Sequence, residues 1–166
     1  MGLLDGWKLC PRCGHELEAR ERGHLACPGC GASYWANSSP AVQGVLERDG
    51  RVLLAKRRHE PRKGYWDLPG GFLEEGEEPL TGLRRELREE TGLELSTAEW
   101  AGASIDRYEH QFVLSLGWIV QADGEPLAAD DVQELAWFRP DELPGEMAFD
   151  SQGPLLREWA ARAARG

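Results

Sequence analysis

No stretch of this 166-residue chain approaches the run of about 18 apolar residues that a membrane-spanning helix needs, so a membrane is not an expected partner. The first residues, MGLLDGWKLC, lack a charged start followed by an apolar run. No secretory leader is expected from them, and the cytoplasm is the expected compartment. Positive charge is also scarce. Nineteen Lys and Arg stand against 29 Asp and Glu, a formal charge of −10, which repels a long polyanion unless a local basic strip dominates. Nucleic acid is therefore not an expected partner, whereas a small phosphorylated molecule is compatible, because a bound cation inverts the local sign. Internal repeats and low-complexity tracts are missing as well.

What is present suffices for one core. With 41% hydrophobic residues and seven Trp, the chain can bury one main domain and a small appendage. The four cysteines lie together near the start, as Cys10-Pro-Arg-Cys13-Gly and Cys27-Pro-Gly-Cys30-Gly, separated by thirteen residues. Paired CxxC knuckles let four thiolates converge tetrahedrally on Zn²⁺. Two disulfides are the competing reading, which a reducing cytosol opposes. His15 and His24 are available as substitute ligands but are read as surface residues, since four Cys suffice. A segment of about 37 residues buries too little surface to fold alone, so the metal is expected to act as its core. Lys8, Arg12, Arg20 and Arg22 are balanced there by Asp5, Glu16, Glu18 and Glu21, which leaves no basic surface.

The most informative segment is GFLEEGEEPLTGLRRELREETGL, Gly71 to Leu93. At about 100° per residue, Glu86, Glu89 and Glu90 share one flank of a helix. Their mutual repulsion is relieved by a cation, and oxygen ligands imply Mg²⁺ or Mn²⁺. Leu80, Leu83 and Leu87 supply an apolar stripe for docking. Pro79 suits the first turn, Gly92 suits the stop, and Gly82 leaves room beside the acids. The competing reading is a solvated helix whose Glu residues pair with Arg84, Arg85 and Arg88.

Elsewhere, Ala41–Arg48 and Arg51–Arg58 read as two strands joined by an Asp49-Gly50 hairpin turn. The second ends in Lys56-Arg57-Arg58. Either this is a solvated strand end, or Arg57 and Arg58 bring cations to substrate phosphates. Trp66 reads as core, and Gly70 and Gly71 permit close backbone approach to a metal or phosphate. Further strands are expected over Leu93–Tyr108, Phe112–Gln121 and Leu135–Phe138, with a final helix around Pro154–Ala164.

Gly71, five residues, Glu77, seven residues, then Arg85-Glu86-Leu87-Arg88-Glu89-Glu90-Thr91-Gly92-Leu93 agrees with the Nudix box at every defined position. The chain therefore resembles the Nudix hydrolase superfamily, with a zinc ribbon fused ahead as in NADH pyrophosphatases and some FAD or ADP-ribose hydrolases. The resemblance implies an α/β fold, a Nudix α/β/α sandwich with a mixed sheet over residues 38–166, preceded by a zinc ribbon over 1–37. It implies that Glu86, Glu89 and Glu90 bind Mg²⁺ or Mn²⁺ with the Gly70 carbonyl. Arg85 pairs with Glu77, and Glu86 activates the attacking water. Some relatives take an extra ligand or base from a later loop, where Asp130, Asp131 and Glu134 lie, with Glu134 first. Phe149 and Asp150 fall where some relatives hold a base, and Tyr108 is either core or a stacking platform.

The implied activity is Mg²⁺-dependent cleavage of a pyrophosphate bond in a nucleoside diphosphate linked to another moiety. Removal of pyrophosphate from nucleoside triphosphates, as in MutT-like enzymes, is the alternative, and a non-catalytic nucleotide-sensing module is a third. Ser104–Phe112 reads SIDRYEHQF where NADH pyrophosphatases carry an SQPWPFP-type motif, and Asp106–Gln111 lacks the proline of many ADP-ribose enzymes. Neither specificity transfers. Oligomeric state is not written in the sequence; dimers are common among relatives, which leaves a homodimer open.

Overall fold

The computed structural model describes residues 2–163. It divides into two compact units, Met1–Ser39 with Arg107–Val113, and Pro40–Asp106 with Leu114–Gly166.

The first unit is built on two matching turns. Cys10 N–H donates to His15 O and Gly14 N–H to Cys10 O; Cys27 N–H donates to Ala32 O and Gly31 N–H to Cys27 O. Gly14 and Gly31 adopt φ of 76° and 73°, a left-handed conformation that glycine enters without the Cβ penalty. Strands β1 (Glu18–Ala19), β2 (His24–Ala26) and β3 (Ser33–Trp35) form an antiparallel sheet in that order. His24 and Trp35, partners in register, stack with ring centroids 3.8 Å apart.

In the second unit, β4 (Ser39–Arg48) and β5 (Arg51–Arg57) pair antiparallel around Asp49 and Gly50. These residues have φ of 52° and 70°, as a type I′ turn demands. Two short strands, β6 (Trp66–Asp67) and β7 (Gly70–Phe72), pair with β5 and β4 respectively. After helix α1 (Pro79–Thr91) come β8 (Glu94–Tyr108) and β9 (Gln111–Asp123), whose residues within Arg107–Val113 count with the first unit, then β10 (Val132–Phe138) and helix α2 (Gln152–Ala163). The long strands run β10-β5-β4-β9-β8 in one mixed seven-stranded sheet. Position 164, the expected end of the last helix, lies outside the described residues.

Alternation along β4 distributes the sheet between two cores. Val42 and Leu46 join Leu53, Leu83, Leu87, Leu93, Trp118 and Val120 beneath α1. Val45 joins Val52, Leu54, Leu68, Leu155, Leu156 and Trp159 beneath α2. A helix on each face yields the expected sandwich. Gly44 lies where a Cβ would stand 3.2 Å from Val120 Cγ2 and 3.5 Å from Leu83 Cδ1, so its smallness lets α1 seat closely.

The helix ends agree with the local signals. Pro79 occupies the first turn, and Gly92 caps the end at φ 69°, donating to Arg88 O. The docking stripe is narrower than expected. Leu83 and Leu87 are fully buried, but Leu80 remains 39% exposed; Thr91 and Gly82 complete the buried face. Gly82 also does a different job, since a Cβ there would collide with Leu73 and approach Glu77 Oε2 to 2.9 Å. Its bareness makes room for the preceding loop rather than for the acids. Among the described residues, no helix is long and apolar enough to cross a membrane.

Candidate functional site

Arg85 organises the acidic face of α1. Its Nε and Nη2 donate to Glu77 Oε1 and Oε2 at 3.0 and 2.8 Å, a bidentate fork, and Nη2 also reaches Phe72 O at 3.1 Å. Nη1 donates to Glu86 Oε1 at 2.8 Å and Glu89 Oε2 at 3.2 Å. One guanidinium thus ties the loop of Glu77 to the helix, geometry that suits Arg and that Lys cannot reproduce. Glu77 also accepts the Glu74 amide at 3.0 Å. Arg85 and that amide hold the Glu77 carboxyl down to about 2.

Glu90 faces inward, and its Oε2 accepts the Gly70 amide at 2.9 Å. Burial raises its pKa to about 8, against the pull of that amide. Glu86 is raised too, by burial first, with Arg85 opposing. At Gly71 a Cβ would collide with the Glu86 carboxylate, and at Gly70 with Val42 O, so both glycines are required by close approach. Glu89 is the outermost acid, 46% exposed.

Among the described residues, no three carboxylates gather their oxygens within 4.8 Å of one another. Glu86 and Glu89 are turned toward Arg85, and Glu90 toward Gly70. The donors nonetheless fit a hard divalent cation: three carboxylates and a glycine-walled loop pressed onto one helical turn, with a positive group already drawn to two of the acids.

Beside this turn lies a buried polar group that the sequence did not announce. Asp67 Oδ2 accepts Arg57 Nη1 at 2.7 Å, its Oδ1 accepts Gln152 Nε2, and Gln152 Nε2 also lies 3.4 Å from Gln43 Oε1. Burial raises the Asp67 pKa although Gln152 and Arg57 pull it down. Gln43 Nε2 and Gln152 Oε1 are buried without a protein partner. Gln43 pairs in register with Gly70, so this group backs directly onto the loop. Only the run Trp66-Asp67-Leu68-Pro69 hinted at it, by placing an acid among apolar neighbours.

The remaining candidates divide. Arg57 caps the Phe149 ring at 5.4 Å and bonds Pro61 O at 2.8 Å, which brings Arg57, Phe149 and Asp67 together. Arg58 donates to Val132 O at 2.7 Å. Glu134 pairs with Lys56 at 3.2 Å and is half exposed, and Asp150 is exposed. Trp66 meets Phe138 edge-on at 4.9 Å, within the core. Tyr108 belongs to the first unit, with Arg107–Val113.

In the first unit, the Sγ atoms of Cys10, Cys13, Cys27 and Cys30 lie within 4.8 Å of one another. Cys10 to Cys30 is 3.7 Å and Cys13 to Cys27 is 3.4 Å, near the edge of about 3.8 Å of a tetrahedron with Zn–S bonds of about 2.3 Å. All four thiols are free, so the disulfide reading does not hold. These cysteines can hold zinc. The Tyr34 hydroxyl, 3.1 Å from Cys10 Sγ, pulls that thiol down to about 6. His15 Nδ1 stands 3.9 Å from Cys13 Sγ and against Gly29.

The chain is similar to several known proteins. An ADP-ribose pyrophosphatase of Methanocaldococcus jannaschii is 40% identical over 115 residues, 68% of each chain. The NAD-capped RNA hydrolase NudC of Pseudomonas aeruginosa is 31% identical over 142 residues, 82% of this chain but 49% of that one, so the chain spans about half the length of this relative. The crystal structure of a NUDIX hydrolase from Nitrosomonas europaea superposes with a TM-score of 0.80 at 27% identity, covering 95% of this chain and 93% of that one. The NUDIX domain family matches residues 38–159, the span that carries the Arg85 fork, the three helix acids and the glycine loop, and the chain belongs to that family.

Proposed function

We propose that the chain is a divalent-metal-dependent hydrolase that cleaves the pyrophosphate bond of a nucleoside diphosphate linked to another moiety. The observation that carries this reading is the Arg85 fork, which fixes Glu77, Glu86 and Glu89 beside a loop whose Gly70 amide holds Glu90. Family members generally use a divalent metal; here Glu86, Glu89, Glu90 and the Gly70 carbonyl would hold Mg²⁺ or Mn²⁺. When bound, the ion neutralises phosphate charge and makes water easier to deprotonate.

The chain's own residues then divide the work. Glu86, its carboxyl raised by burial, takes the proton of the attacking water, with Glu134 as a second acid on β10. Arg57 and Arg58 meet phosphate charge, and Phe149 with Asp150 borders the nucleoside. Arg85 and Glu77 keep the loop and helix in register. Residues 1–37 form a ribbon that takes structural Zn²⁺ on Cys10, Cys13, Cys27 and Cys30, and residues 38–166 form the hydrolase. A cytoplasmic protein, as a monomer or homodimer, completes the reading.

The Methanocaldococcus relative makes ADP-ribose the first compound to try. Purified protein with Mg²⁺ is expected to release a nucleoside monophosphate from at least one of ADP-ribose, NADH, FAD or a dinucleoside polyphosphate, identified by mass spectrometry. Release of inorganic pyrophosphate from nucleoside triphosphates alone would replace this reading with the MutT-like one. Nucleotide binding without turnover anywhere in the panel would replace both with the sensing module.

A further inference from the structure

We propose that Tyr34 is an outer partner of the cysteine centre and that its hydroxyl, hydrogen-bonded to Cys10, sets how firmly the four thiolates retain zinc. This rests on reading the cluster as a metal centre. The Tyr34 Oη to Cys10 Sγ distance is 3.1 Å. A metal-bound thiolate carries no proton and can only accept, so binding of the ion fixes the phenol as the donor.

Four thiolates around one divalent ion carry a net charge of about −2, concentrated on sulfur. A donor aimed at one sulfur withdraws part of that charge. It eases repulsion among the ligands and makes the sulfur it touches less basic, so a proton competes less well with the ion for it. Cys10 and Cys27 are equally buried, each 2% exposed, yet among the contacts of the described residues only Cys10 receives a side-chain hydroxyl. The centre is therefore asymmetric, with Cys10 as its protected corner.

The donor is well held. Tyr34 lies in β3, paired with Leu25, and its ring meets Trp7 at 5.8 Å. Phenylalanine would preserve the strand, the ring contact and the volume, and would remove only the O–H. The role is one of positioning and charge on the metal centre, separate from hydrolysis in the other unit.

The test uses the full chain, loaded with Zn²⁺ and, in parallel, with Co²⁺ as a spectroscopic probe. Tyr34→Phe is expected to bind Zn²⁺ about 10–100-fold more weakly in competition with a chromogenic chelator. Its Co²⁺ form is expected to show the thiolate-to-metal charge-transfer band at longer wavelength than the parent, because the sulfur has regained charge. An unchanged affinity together with an unchanged band overturns the role of Tyr34 and leaves the metal centre standing. Failure of the parent chain to bind one Zn²⁺ overturns both. Should the Phe variant take up no metal, replacement of the three tyrosines by 3-fluorotyrosine keeps the packing and strengthens the donor; the band must then move to shorter wavelength, and an unmoved band overturns the proposal.

Discussion

The Gly70 amide donates to Glu90 Oε2 at 2.9 Å, across twenty residues of chain. That bond fastens the glycine loop to the last turn of α1, and it survives in a buried carboxyl whose pKa stands at about 8. Raised above the usual 4.5, Glu90 binds a proton in the folded state that it loses in the unfolded one between those values. Metal-free protein is therefore expected to lose stability as pH rises from about 4.5 through about 8. Glu90→Gln should flatten that slope, and thermal unfolding across pH without metal checks it.

The same residue should couple metal to protons. Below pH 8 Glu90 must shed its proton to act as a ligand, so Mg²⁺ uptake at pH 7 is expected to release protons. Titration calorimetry in buffers of different ionisation enthalpy reads this directly. Glu90→Gln and Glu89→Gln should each lower kcat by about 100-fold or more while circular dichroism stays unchanged; full activity in either contradicts the ligand assignment.

The Glu77–Arg85 fork should show at acid pH. Because the Glu77 carboxyl sits at about 2 when folded and 4.5 otherwise, its stabilising contribution is complete above about 4.5 and is lost as pH falls toward 2. Arg85→Lys keeps the charge but loses the fork. It is expected to cut kcat by about 10–100-fold, as lost support of metal ligands does, and to move the acid unfolding midpoint upward in a pH titration of ellipticity.

Asp67 and Arg57 form a largely buried pair, 11% and 21% exposed, and removing one partner strands the other. Asp67→Leu is expected to cost about 3 kcal/mol in urea unfolding. Asp67→Asn, which can still accept from Arg57, should cost clearly less. Equal losses would show that shape rather than charge is what the site requires.

The two faces of α1 should respond unequally. Leu87→Ala opens a cavity beneath the helix and is expected to cost about 2–5 kcal/mol, whereas Leu80→Ala, at a 39% exposed position, should stay within about 0.5 kcal/mol. Denaturant midpoints of the two variants decide this.

The sequence carried the acidic helix almost completely, because its start, stop and acidic flank depend on neighbours within a turn or two. Pro79, Gly92 and the Asp49-Gly50 turn are legible for the same reason: each is a backbone preference written at one or two positions. The width of the docking stripe was not, since whether Leu80 is covered depends on what the rest of the chain packs against it rather than on helical period. Asp67, Gln43 and Gln152 were missed because their partners lie up to 109 residues apart. A polar residue inside an apolar run says that something must satisfy it, and only the folded chain says what. The short strands β6 and β7 escaped notice because two or three residues are too few to show alternation.

Trp159 is fully buried and its indole N–H ends on Glu47 Oε2 at 3.0 Å, while Trp7, Trp35 and Trp100 stand half exposed. The chain therefore carries its own optical gauge. Short-wavelength indole emission belongs to Trp159 of the C-terminal helix together with Trp118 beneath α1, and red-shifted emission belongs largely to the surface rings, so in a Trp118→Phe background peeling of that helix is visible without any attached dye.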